Sequence, residues 1–192
     1  MPRPDRSEER RRELLPVVAG CFVELGYRRA STAELAERCG VRVNILYRLW
    51  PDKKAMFLAA VEHVFDRSAE RWEALLAELD DPAQGAAAVL RYEARHLGEE
   101  GLYRLLFTGL AETDDPEIRA ALAATYGRFL AFFREQVALH RGEPARAAAV
   151  EQAAWALLGL GTAANIGREL ELLSDRKRAK LLREMGDRLL GD

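Results

Sequence analysis

GVRVNILYRLW, residues 40 to 50, mixes two kinds of side chain within a few turns of chain. Val41, Leu46, Leu49 and Trp50 are apolar and suit a core, whereas Arg42, Asn44, Tyr47 and Arg48 end in polar groups. A segment built this way offers one face to its own protein and another to something outside it.

The residues before it narrow the choice. Ser31-Thr32-Ala33-Glu34 has the pattern of a capping box, in which the serine hydroxyl and the glutamate carboxylate each satisfy a free backbone N–H, so a helix is expected to begin at Thr32. Ala36 is small enough to let a second helix cross closely, and Gly40 can take the left-handed conformation that ends a helix and turns the chain. Leu35, Cys39, Val41, Leu46 and Leu49 then fall where two short crossed helices share a core. This is the grammar of a helix-turn-helix, with the second helix free to enter a major groove. An ordinary helical corner has the same spacing. The residues after Trp50 tip the balance: Asp52 can cap the next helix, yet Lys53 and Lys54 occupy its first turn, where the helix dipole disfavours each cation by about 0.3–1 kcal/mol. A phosphate beside that turn would reverse the sign.

Working outward, the chain has 192 residues, 49% hydrophobic and 31% charged, which describes a soluble globular protein of one domain or one small and one larger. The charged start RPDRSEERRRE precedes no signal-like apolar run, and the most apolar later stretch, residues 153 to 167, falls short of the roughly 20 residues that a membrane helix needs. The cytoplasm is the expected compartment. Cys21 and Cys39 fit small buried hydrophobes rather than a metal site or a disulfide framework, and no metal or cofactor is expected. Net charge is −2, but residues 1 to 54 hold twelve Lys and Arg against eight Asp and Glu, leaving the rest acidic. A basic first quarter on an acidic body suits contact with a polyanion.

Nearly every segment repeats apolar residues at three- and four-residue spacing, and none alternates like a half-buried strand. The expected fold is all-α, with helices at Glu8 to Leu25, Thr32 to Cys39, Val43 to Leu49, Lys53 to Leu79, Ala83 to Gly98, Leu102 to Ala111, Glu117 to His140, Ala145 to Asn165 and Asp175 to Leu190. Gly26, Gly40, Pro51, Pro82, Gly101, Pro116, Gly142 and Pro144 punctuate them. Pro16 lies inside the first pattern, so that helix is expected either to begin near Pro16 or to kink there.

The stretch GYRRASTAELAERCGVRVNILYRLWPDKKAMF resembles the DNA-binding region of the TetR/AcrR family of transcriptional regulators. The resemblance rests on Gly26-Tyr27, Ser31-Thr32, Leu35-Ala36, Gly40-Val41, Leu46-Tyr47, the aromatic Trp50 and Lys53, and covers roughly residues 10 to 60. It implies a helix-turn-helix domain over 1–52 and an effector-binding and dimerisation domain over 53–192. It also implies that Ser31, Thr32, Tyr47 and Lys53 meet phosphate, and that Arg42, Val43, Asn44, Ile45 and Leu49 align with positions facing the groove. Arg suits guanine, Asn adenine, and Val or Ile the thymine methyl. Arg42-Val43-Asn44-Ile45 replaces the small or hydroxylated residues usual in the family, so the reading helix lacks its common serine cap. Arg48 is expected on a solvated face, and Arg10-Arg11-Arg12 either there or along the phosphate backbone.

In the larger domain, Tyr92 with His96, Tyr103 with Phe107, and Tyr126 with Phe129 and Phe133 recur at helical spacing, near Trp72 and Trp155. Such stripes usually belong to a core, but the resemblance implies an effector cavity among these helices, with Arg95, His96, Thr108 and Asn165 as its polar candidates. An apolar or aromatic effector would suit it. Small residues Ala154 and Gly161 with Leu157 and Leu158, and the stripe of Leu181, Met185 and Leu189, are expected at a homodimer interface, a four-helix bundle in the family. The implied function is a DNA-binding regulator, most often a repressor, that binds a palindromic operator as a dimer under small-molecule control. An all-helical enzyme, or a helical interaction protein without DNA binding, remains the alternative; beside the three histidines no nucleophile, metal set or phosphate loop stands in sequence.

Overall fold

The computed structural model describes residues 6–96 and 101–191. Among these residues the fold is all-α, with helices α1 (Arg6–Arg29), α2 (Thr32–Arg38), α3 (Val43–Leu49), α4 (Lys53–Ala77), α5 (Gly85–His96), α6 (Leu102–Leu110), α7 (Pro116–Arg141), α8 (Ala148–Glu169) and α9 (Asp175–Leu190). The expected end of the fifth helix at Gly98 lies outside the described residues. No described helix is long and apolar enough to cross a membrane.

Two expectations change. Helical dihedrals run from Arg6 through Pro16, so the helix does not begin there; the non-helical break falls at Gly26, where the first helix was expected to end, with φ 74° and ψ 170°, a conformation that only glycine adopts without strain. Pro16 is tolerated because the carbonyl it leaves unpaired, that of Arg12, lies in the exposed stretch 6–13, where water can replace the missing bond. The eighth helix starts at Ala148 rather than Ala145, because the Ala147 N–H closes a turn onto the Pro144 carbonyl at 2.8 Å. It ends at Glu169 in a tight cap: the N–H groups of Glu171 and Leu172 bond the carbonyls of Arg168 and Gly167, with Glu171 left-handed at φ 54°.

The chain divides into two compact units, Met1–Ser68 with Glu100–Thr125, and Ala69–Glu99 with Tyr126–Asp192. The first unit continues past residue 52 to Ser68, so that α4, Lys53–Ala77, contributes residues to both units. In the first unit the core is built on Phe22, Leu35, Leu46, Met56, Phe57, Leu105 and Ile118, all below 2% exposed. Phe57 meets Phe22 at 5.3 Å and Tyr27 at 5.0 Å between ring centroids, both edge-on. In the second unit, Trp72 packs against Phe129, Phe132 and Phe133 at 5.1, 4.9 and 5.6 Å, and its indole N–H donates to Glu93 at 2.8 Å. Helix α9 lies on α5 so closely that a Cβ at Gly186 would stand 2.6 Å from a Leu90 methyl. Arg141 closes the far end of α9 by donating to the carbonyls of Leu189 and Leu190 at 2.6 and 3.3 Å.

Candidate nucleic-acid interface

The turn between α2 and α3 forms as its residues dictate. Gly40 is left-handed at φ 64°, its N–H bonds the Glu37 carbonyl, and the Val41 N–H bonds that of Ala36, each at 3.0 Å. Together they make a Schellman cap, which satisfies orphan carbonyls of α2 while reversing the chain. At the other end of α2, Ser31 Oγ accepts from the Glu34 N–H at 3.2 Å. The reciprocal half of the expected capping box is missing: the Ser31 N–H bonds the Arg29 carbonyl at 2.9 Å, and the Glu34 carboxylate accepts from Arg38 Nε at 2.9 Å. A charge-assisted bond one turn away outcompetes a neutral backbone donor. Arg38 also pairs with Glu24, fastening α2 to α1.

Helix α3 is seven residues long. Leu46, Leu49 and Trp50 are buried, at 0, 5 and 5% exposure, and anchor it, so Leu49, expected at a groove-facing position, belongs to the core instead. Arg42, Asn44, Tyr47 and Arg48 are exposed, with Val43 and Ile45 half-buried beside them. Arg42 takes the N-cap position without a side-chain bond, as the missing serine implies. The Tyr47 hydroxyl lies 3.3 Å from Thr32 Oγ1, so two of the three hydroxyls expected at phosphate, one from each helix, stand side by side.

The two lysines opening α4 have different surroundings. Lys53 Nζ donates to the Tyr27 carbonyl at 3.0 Å and lies 4.5 Å from the Tyr27 ring centroid. Burial, then the charges of Asp115 and Asp52, push the Tyr27 phenol above its usual value, so it remains a neutral hydroxyl. Lys54 pairs with Asp115 at 3.1 Å and Glu117 at 3.0 Å, at the start of α7. The bonds to Glu117 and Asp115 push its ammonium above the ordinary value. The adverse dipole at Lys54 is therefore offset within the protein, not by an outside anion. Asp52 caps α4, accepting from the Ala55 N–H at 2.7 Å. The N-terminal arginines also divide: Arg10 pairs with Glu13 at 2.6 Å, Arg12 with Glu8 at 3.7 Å, and Arg11 Nε donates to the Leu49 carbonyl at 2.6 Å. Periodicity alone could not have revealed that contact across the sequence, nor the Lys54–Asp115 pair. Burial pushes both thiols, Cys21 and Cys39, upward, keeping them protonated as small packing groups.

The aromatic candidates divide between the two units. Tyr103 and Phe107, with centroids 6.3 Å apart, belong to the first unit, where Thr108 packs against Gly26 of α1. Tyr92, His96, Tyr126, Phe129, Phe133 and Asn165 belong to the second. There Tyr92 lies 4.5 Å from His96, with its hydroxyl accepting from Arg71 at 3.2 Å, while Tyr126 meets Trp155 at 6.1 Å. Phe129 and Phe133 are 3 and 6% exposed against Trp72, packed as core. Asn165 is fully buried; its amide N–H donates to the Gly161 carbonyl at 3.1 Å, while its oxygen has no partner.

The expected dimer residues need a correction. Ala154, Leu157 and Leu158 are 0, 2 and 3% exposed and pack inside their own unit, so they cannot form a free surface. The face of α8 that is open carries Trp155, Gly159, Ala163 and Ile166, spaced three and four residues apart. On α9, Leu181 and Met185 are exposed, with Leu189 half-buried. Of the residues expected at an interface, Ala154, Leu157 and Leu158 are thus core, whereas Leu181 and Met185 are exposed.

Residues 18–60 match the family described as bacterial regulatory proteins, tetR family. An uncharacterised HTH-type transcriptional regulator of Mycobacterium tuberculosis is 30% identical over 134 residues, covering 66% of this chain and 67% of the relative. The HTH-type transcriptional activator FasR of Mycolicibacterium smegmatis is 31% identical over 114 residues, 59% of this chain and 52% of the relative. Among solved structures, a transcriptional regulator from Saccharomonospora viridis in complex with choline superposes with a TM-score of 0.77 at 16% identity, covering 95% of this chain and 96% of that one. By that sequence similarity, over a matching fold, the chain belongs to the TetR family of bacterial transcriptional regulators, which bind DNA and are not enzymes.

Proposed function

We propose that this chain is a cytoplasmic, homodimeric repressor that binds a palindromic operator through α2 and α3 and is released by a small, largely apolar effector. The observation carrying this reading is the shared face on which the Thr32 and Tyr47 hydroxyls lie 3.3 Å apart, with Arg42 and Asn44 exposed on α3. The hydroxyls suit phosphate and the longer polar groups suit base edges. Residues 1–52 act as the reading head and 53–192 carry effector control and dimerisation. The open faces of α8 and α9 support the dimer: Gly159 and Ala163 allow close crossing of a second copy, and Trp155, Ile166, Leu181 and Met185 supply apolar area. For an apolar or aromatic effector, the support is the pairs Tyr92 with His96 and Tyr126 with Trp155 in the second unit; the S. viridis protein's complex with choline, a cation, supports a small-molecule ligand in general. Because FasR is an activator, the direction of control is part of the test. Fluorescence anisotropy on labelled duplexes at low salt should show saturable binding that a small apolar compound weakens, and a reporter should rise when the compound is added. Absence of duplex binding contradicts the reading, and a reporter that falls contradicts repression.

A further inference from the structure

Residues 6–13 of α1 are all exposed, and Leu14 is the first buried residue of the chain that is described. From this exposed stretch, Arg11 reaches across 38 positions of sequence to donate its Nε–H to the Leu49 carbonyl at 2.6 Å, in a part-buried setting. Leu49 is the last residue of α3. The final four carbonyls of any helix lack partners within it, and here the Leu46 carbonyl is taken by the Trp50 N–H at 2.8 Å and the Leu49 carbonyl by Arg11. A guanidinium at that end also complements the helix dipole. The opposite end has no such fastening, since Arg42 makes no side-chain cap. Two turns of helix are too few to hold their own shape in water, so the external contacts set how α3 lies. Leu46, Leu49 and Trp50 fix its depth.

We infer that Arg11 is a positioning residue for DNA reading, holding the C-terminal end of α3 so that Asn44 and Tyr47 present at the angle the duplex requires. The inference rests on the proposal that α3 faces DNA. Its neighbours are built-in controls: Arg10 pairs with Glu13 and Arg12 with Glu8, so each carries the same charge on the same segment, with a partner on α1 itself.

Arg11→Ala and Arg12→Ala remove identical charge and differ in the bond to α3. Arg11→Ala should lower affinity for the preferred duplex about tenfold, the scale of one charge-assisted hydrogen bond, with a much smaller loss on random duplex and an unchanged slope of log K against log salt. Arg12→Ala should lower both affinities by one small, equal factor. In the DNA-free protein, amide hydrogen exchange in α3 should quicken in Arg11→Ala and stay as in wild type in Arg12→Ala, with little change in melting temperature for either. Like behaviour of the two variants overturns the inference, as does a shallower salt slope for Arg11→Ala, which marks a phosphate contact. If wild type prefers no duplex, the DNA reading itself fails, while the exchange measurement still decides whether Arg11 holds α3: unchanged exchange overturns that too.

Discussion

Lys53 and Tyr27 hold one another: the ammonium donates to the tyrosine carbonyl at 3.0 Å and lies 4.5 Å from the ring centroid. The lysine is restrained at the start of α4, beside the end of α1, and two of its three N–H groups are left for an anion. A positioned cation of this kind attracts phosphate without reading sequence. Lys53→Ala should therefore weaken binding to preferred and random duplexes by similar factors, and make the salt slope shallower by about 0.9 for each phosphate it no longer neutralises. Titrations over a salt series check this, and an unchanged slope contradicts it.

Asn44 and Tyr47 should separate reading from positioning. Asn44 is exposed on α3, and Asn44→Ala should cost roughly 1–3 kcal/mol on the preferred site and much less on random duplex. Tyr47→Phe removes the hydroxyl that lies beside Thr32, and should cost similar amounts on both. Anisotropy on the two duplex types distinguishes them. Equal behaviour of the two variants places the reading face elsewhere.

The Lys54–Asp115 pair predicts the acid limb of stability. Lys54, hydrogen-bonded to it, then the N–H groups of Ile118 and Glu117 hold the Asp115 carboxyl below its ordinary value of 3.8. Its contribution is thus complete above that value and is lost as pH falls through the lower folded one. Lys54, raised above 10.5, contributes fully below that pH and loses its contribution only as pH rises through the higher folded value. Between these limits the pair should not titrate. Asp115→Asn should lower the melting temperature at pH 7 and reduce its fall in acid, as followed by circular dichroism. A curve parallel to wild type in acid counts against the pair.

The dimer face can be tested apart from the core. Leu181→Glu with Met185→Glu alters exposed positions of α9, so the protein should remain helical but sediment as a monomer at micromolar concentration, where the proposed assembly makes wild type a dimer. Leu157→Ala, 2% exposed, should instead destabilise the fold by about 2–5 kcal/mol. Monomeric wild type rules out the proposed assembly.

Glu171 occupies a left-handed cap position at φ 54°, where a side chain costs roughly 1–2 kcal/mol. Glu171→Gly should raise the melting temperature while keeping the cap bonds to Arg168 and Gly167. A decrease indicates that the glutamate side chain makes an interaction stronger than the strain.

The helices and the turn at Gly40 were legible in the sequence because periodicity and caps are local properties. Pro16 was not, because the cost of an interior proline depends on whether its orphaned carbonyl meets water, which local spacing does not reveal. The capping box failed by half for a related reason: Glu34 had two partners within reach, and Arg38 was the charged one. Ala154, Leu157 and Leu158 showed an apolar stripe without saying which neighbour it faces. Arg11 with Leu49 and Lys54 with Asp115 were invisible, since each pair is made by the fold across long stretches of chain.

Unbiased selection of bound duplexes from a random pool, performed on the wild-type protein at low salt, tests the central claim most directly. Two copies of α3 related by a two-fold axis should enrich a palindrome or near-palindrome, with half-sites about one helical turn apart or slightly more. Enrichment of no sequence, with and without candidate effectors, would contradict the account.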